Sequence, residues 1–113
     1  MPSDLQSKHC ESCEGIGKPL QKTQIDNLLP QISSHWQLAD DNRKIKRSFT
    51  FENFYETMAF VNALAWVANM ENHHPDLAVG YNYCVVTYTT HALDGLSQND
   101  FICAAKTDNL INI

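Results

Sequence analysis

Apolar and polar positions recur along this chain with two periods, and the switches between them mark its elements. Ile25, Leu28, Leu29 and Ile32 keep helical spacing, which predicts a first helix over Lys22 to Leu29. Pro30 biases Leu29 away from the helical region and ends it there. Trp36 to Asp40 reads as a strand, Asp41-Asn42 as a turn, and Lys44 to Phe51 as a second strand of period two. Ile45, Phe49 and Phe51 lie on one face of that strand, and Lys44, Lys46, Ser48 and Thr50 on the other. Arg47 breaks the apolar face. The two strands make a β-hairpin.

The second helix is the strongest pattern, from about Asn53 to Met70. Asn53 with Glu56 three residues on has the form of a helix start. Phe54, Met58, Val61, Leu64, Ala65 and Ala68 form a wide apolar face, and Asn72 to Pro75 ends the helix. Leu77 to Thr90 is rich in β-branched and aromatic residues. Gly80-Tyr81-Asn82 bends it into two short strands, the better of them Cys84 to Thr90. Asp94-Gly95 is a turn. Ser97-Gln98-Asn99-Asp100 has the form of a capping box with Asp in place of Glu, and opens a third helix from Gln98 to about Leu110. The order αββαββα predicts an α+β fold: a four-stranded antiparallel sheet with helices packed on one face. Residues 1–18, polar and glycine-containing, read as a flexible tail before one domain over 19–113.

With 113 residues, 43% of them hydrophobic, the chain suits one globular core. The longest nearly apolar segment, Met58 to Met70, is interrupted by Asn62 and Asn69. It falls short of the ~20 residues that cross a bilayer, so no membrane partner is expected. Net charge is -5, and the densest basic run is Arg43-Lys44-Ile45-Lys46-Arg47. Such alternation makes a solvated strand face, so no nucleic-acid partner is expected either. The N-terminus lacks the apolar core of a signal peptide, which favours the cytoplasm and reduced thiols.

Three of the five histidines, His73, His74 and His91, fall within nineteen residues. Histidine exchanges protons near neutrality. A tandem pair at a helix exit, held by Pro75, with a third at a strand end, places acid and base on two sides of a small substrate. Each position also has a plainer use: His73 and His74 suit a helix C-terminus, His91 a solvated strand end, and Asp100 a cap bonded back to the Ser97 amide. A zinc site fits less well, because adjacent residues in extended chain point to opposite faces and no His-x-x-x-His or Cys pair accompanies them. His9-Cys10-Glu11-Ser12-Cys13 carries a Cys-x-x-Cys without a second pair nearby in sequence, and Cys84 and Cys103 read as buried.

His73-His74-Pro75, five residues, Tyr81, nine residues, His91, eight residues and Asp100 closely resembles the signature of the pterin-4a-carbinolamine dehydratases. The likeness spans about Leu20 to Leu110 and includes Asp76-Leu77, Thr90-His91 and Gly95-Leu96-Ser97. One departure is Asn69, where the family usually has an acidic or basic residue; Glu71 would leave on another face of the helix. The resemblance implies dehydration of 4a-hydroxytetrahydrobiopterin to quinonoid dihydrobiopterin, which recycles the pterin of aromatic amino-acid hydroxylases, with no metal or organic cofactor. It implies acid–base roles for His73 and His91, and substrate binding and orientation by His74. Pro75 and Tyr81 would shape the pocket, and Asp100 would hold the site together. It also implies a homodimer or homotetramer. Two other readings remain: a partner-stabilising module, as in relatives that act as dimerization cofactors, and a pterin role in molybdopterin metabolism.

Overall fold

A computed structural model describes residues 4–111, apart from the side chains of residues 13 and 14. The ends of the expected tail and domain, residues 1–3 and 112–113, lie outside the described residues. The elements are α1 (Cys13–Ile16), α2 (Lys22–Leu28), β1 (Gln37–Ala39), β2 (Lys44–Thr50), α3 (Phe54–Glu71), β3 (Asp76–Val79), β4 (Tyr83–Tyr88) and α4 (Gln98–Asn109). Beyond the single-turn α1, they follow the predicted αββαββα order. The four strands form one antiparallel sheet in the order β1-β2-β4-β3, so the two hairpins meet through β2 and β4.

Alternation sets the sheet's two faces. Ile45 and Phe49 on β2, and Cys84, Val86 and Tyr88 on β4, are buried beneath the helices. Arg47 also faces the helices, opposite Val86. Its Nη1 donates to Asp108 Oδ1 at 2.6 Å, and its guanidinium lies over the Phe49 ring at 4.3 Å. Asp108 accepts from Trp36 Nε1 and Ser33 N as well. The break in the apolar row is thus a charge paired with α4 at the margin of the core. α4 is the most enclosed helix: Asn99 to Ala105 and Thr107 are all buried.

α3 starts as predicted, with Asn53 Oδ1 accepting from Glu56 N at 3.0 Å, but its buried stripe differs from the predicted face. Thr57, Phe60, Leu64 and Ala68 are buried, Met58 and Val61 only half-buried, and Phe54 and Ala65 exposed. The helix carries apolar residues over much of its circumference, so periodicity alone could not say which stripe meets the sheet. Trp66 and Met70 remain exposed.

The expectation of a flexible tail is corrected for the residues described. Leu5 is 1% exposed and belongs to the core, packed against α4. Lys106 Nζ donates to Gln6 O at 2.8 Å, and Cys10 N to Glu71 Oε1 at 2.8 Å. Asn99 bonds Glu11 in both directions, Oδ1 accepting from Glu11 N and Nδ2 donating to Glu11 O. A polar composition hid one apolar anchor and a set of long-range hydrogen bonds.

Candidate active site

Asn72 decides how the site begins. It ends α3 in the left-handed region (φ 51°), which asparagine tolerates. The chain turns sharply, and His73 N donates to Ala68 O at 3.1 Å. The His73 ring then points inward, 8% exposed, while His74 points out. Half-buried Pro75 holds the exit extended and feeds β3.

Inside, His73 Nε2 meets Asp100 Oδ1 at 2.6 Å. Asp100 is fully buried, and its Oδ2 accepts from Thr90 Oγ1 and from Ser97 N, both at 2.9 Å. The predicted capping box is therefore present, and the same carboxylate also orients an imidazole. A carboxylate only accepts, so Nε2 carries a proton and Nδ1 is the ring nitrogen left facing away from Asp100. Thr90 donates to Asp100, so Ser97 Oγ–H donates to Thr90 Oγ1 at 2.7 Å, and Ser97 Oγ in turn accepts from Asn99 N. Tyr88 stacks on the His73 ring, with centroids 6.0 Å apart and planes 7° from parallel. Burial above all pushes the Tyr88 hydroxyl well above its usual range, and it shares a hydrogen bond with Thr107 Oγ1. It packs the ring and stays a neutral phenol.

His91 follows Thr90, and here the expected strand end is corrected. β4 stops at Tyr88, and His91 opens a single 3-10 turn to Leu93 beside a Thr90–Gly95 bridge. Its ring is largely exposed, with Nε2 3.9 Å from Asp76 Oδ2. Asp76 lies two residues after His74. His74 Nε2 is 3.1 Å from Asn69 Oδ1. The three histidines thus gather at one end of the sheet: His73 and His91 are linked through Asp100 and Thr90, and His91 and the His74 segment through Asp76.

Tyr81 is not with them. It lies at the other end of the β3–β4 hairpin, its ring stacked on Phe54 and its carbonyl accepting from Thr57 Oγ1. At Gly80 in that turn, a Cβ would fall 2.0 Å from the Tyr83 ring as it is placed. Tyr81, expected to shape the pocket, thus packs against α3 through Phe54 and Thr57. Glu71 leaves α3 on another face from Asn69, as expected. Burial by itself would raise its carboxyl; the Cys10 N–H, His9 and Lys106 outweigh that and hold it below the usual range.

A cavity of about 420 Å³ is lined by His73, Asn72, Glu71, Asn99, Cys10, Glu11 and Ser12, within the size range of small-molecule sites. A larger one of about 850 Å³, between β2 and α3, touches none of the predicted site residues. Sequence reasoning missed the N-terminal wall of the first cavity and the Ser97–Thr90 relay behind Asp100. Thr90 beside His91 was the available signal for the relay; nothing in the sequence marked Cys10 or Glu11 as neighbours of His73. Among the described residues, no group of three or more His, Cys, Asp or Glu is placed to hold a metal ion, and no helix is long and apolar enough to cross a membrane.

A family model described as pterin 4 alpha carbinolamine dehydratase matches residues 18–110. A protein of Legionella pneumophila (strain Corby), named "Putative pterin-4-alpha-carbinolamine dehydratase", is 69% identical over 111 residues, covering 98% of each chain. A Nitrosomonas eutropha protein of the same name is 58% identical over 108 residues, covering 96% of this chain and 94% of that one. Among solved structures, a transcriptional coactivator/pterin dehydratase from Brucella melitensis is similar, with a TM-score of 0.77 and 29% identity over 82% of this chain and 98% of that chain. A pterin dehydratase-like protein identified as a RuBisCO assembly factor in the alpha-carboxysome is similar at a TM-score of 0.59 and 25% identity, over 66% of this chain and 87% of that one.

Proposed function

The chain belongs to the pterin 4 alpha carbinolamine dehydratase family, and we propose from that premise that it dehydrates a 4a-hydroxytetrahydropterin to the quinonoid dihydropterin. The observation that carries the proposal is the buried Asp100–His73 pair, with His74 and His91 at the same end of the sheet. His73 Nδ1 takes the N5 proton of the substrate. The N5 electron pair forms the C4a=N5 double bond as the C4a–oxygen bond breaks. His91, as imidazolium, protonates the departing hydroxyl, which leaves as water. Solvent returns one proton to His91 and removes one from His73. His74, exposed and steadied by Asn69, orients the pterin. Each proton transfer of this kind contributes ~10²–10⁴-fold, and no metal or organic cofactor takes part.

In this reading an aromatic amino-acid hydroxylase supplies the substrate, and the protein works in the cytoplasm. Subunits assemble as a homodimer or homotetramer. In support of assembly, β3 is an edge strand whose four residues are all exposed, and α3 presents Tyr55, Trp66 and Met70 to solvent. The alternative, a non-catalytic partner-stabilising role, has in its favour the coactivator and assembly-factor descriptions of the structural neighbours.

The test is the dehydration rate of freshly generated 4a-hydroxytetrahydropterin, followed by ultraviolet absorbance near neutral pH. Acceleration that falls by ~10²-fold or more in His73→Ala and in His91→Ala, with the fold intact, is the expected result. No acceleration by the folded protein overturns the enzymatic reading in favour of the partner-stabilising one.

A further inference from the structure

A second set of nucleophilic groups lies outside the histidine constellation. Cys10 Sγ stands 3.4 Å from Cys103 Sγ, although the two residues are far apart in sequence. Cys103 is fully buried on α4, whereas Cys10 is partly exposed and lines the same cavity as His73. The approach is built, since the N-terminal segment is held on both sides of Cys10. Leu5 sits in the core, the Cys10 amide is on Glu71, and Glu11 is bonded twice to Asn99. A disulfide is about 2.05 Å long, so the sulfurs need to close by little more than ~1 Å.

We propose that Cys10 and Cys103 form a reversible oxidative modification site, joined as a disulfide by exchange with a small-molecule disulfide such as oxidised glutathione. Cys10, the accessible member, attacks as its thiolate. The glutathione S–S bond breaks, one glutathione thiolate leaves, and Cys10 carries the other as a mixed disulfide. Cys103 then attacks Cys10 Sγ, expelling the second glutathione, which takes up the Cys103 proton as it leaves as a thiol. The protein loses two electrons and two protons, and the oxidant gains them as two thiols. The Cys10 sulfur first, and burial second, push the Cys103 thiol far up. This makes Cys103 a poor first nucleophile. Its sulfur stands 3.4 Å from Cys10 Sγ, which makes Cys103 the resolving thiol once Cys10 is capped.

The product ties residue 10 to α4 and fixes the wall of the cavity that His73 shares. A disulfide of this kind in a reducing compartment is transient and sensing in character.

The experiment is incubation of the whole folded protein with oxidised glutathione, then intact mass measurement and non-reducing peptide mapping. The expected result is the loss of two hydrogens, a Cys10–Cys103 linked peptide, and reversal by dithiothreitol. The link should persist in Cys13→Ser. In Cys103→Ala it should be replaced by a stable glutathione adduct on Cys10. A Cys10–Cys13 link, a persistent adduct on Cys10 in the unsubstituted protein, or no reaction at all would overturn the proposal. Cys13→Ser keeps the test decisive even if Cys103→Ala fails to fold.

Discussion

Asp100 and His73 share a buried 2.6 Å hydrogen bond across 27 residues of sequence, and the carboxylate that makes it also caps α4. Stability and the imidazole's tautomer therefore depend on one side chain. Asp100→Ala leaves the buried Ser97 amide, Thr90 hydroxyl and His73 imidazole without their acceptor, and should destabilise by about 3 kcal/mol or more. Asp100→Asn keeps the shape but offers an amide N–H where His73 needs an acceptor. It should retain most of the stability and lose ~10²–10⁴-fold in turnover, through the wrong tautomer. Denaturant unfolding and dehydration kinetics on both variants check this. Full turnover in Asp100→Asn would remove the orienting role.

Asn69 holds His74 without adding a charge. Asn69→Asp places a carboxylate on the same ring nitrogen and favours the imidazolium. Because His74 orients the pterin, it is the pH profile of KM that should move up, by about one pH unit, with kcat and the fold unchanged. A profile superimposable on that of the unsubstituted protein would show that this contact does not tune the site.

Glu71 ties acid stability to the N-terminal segment. Its folded pKa lies below the ordinary 4.5, so its contribution is present above that value and is lost as pH falls through the folded pKa. Glu71→Gln should therefore cost most near neutral pH, about 1.5–3 kcal/mol for a hydrogen-bonded charge. The difference from the unsubstituted protein should shrink on acidification below 4.5. Urea midpoints at neutral pH and below pH 4.5 measure it; a pH-independent difference would contradict the linkage.

Leu5→Ala tests whether the N-terminal segment belongs to the core. Removing a side chain that is 1% exposed should cost ~2–4 kcal/mol. A flexible tail would give a change near zero in urea unfolding.

The element order, the sheet pairing within each hairpin and the α4 cap were legible because they depend on neighbours in sequence. Alternation in Lys44–Phe51 named the buried face, and Ser97 with Asp100 named the cap. The spacing of His73, His74, His91 and Asp100 identified the family and the candidate residues. Other features were invisible because they depend on contacts between distant segments. The stripe of α3 that meets the sheet was chosen by packing over an almost uniformly apolar surface. Arg47 was stabilised at the core margin by Asp108, 61 residues later. Tyr81 had the right spacing, but the hairpin carried it to the far end of the sheet. The N-terminal segment looked loose because its composition is polar. Leu5, the Glu71 carboxylate and Asn99 anchor it through bonds no local pattern encodes. Local periodicity determined which residues this protein has for its chemistry; only the close packing of segments far apart in the chain decided which of them meet.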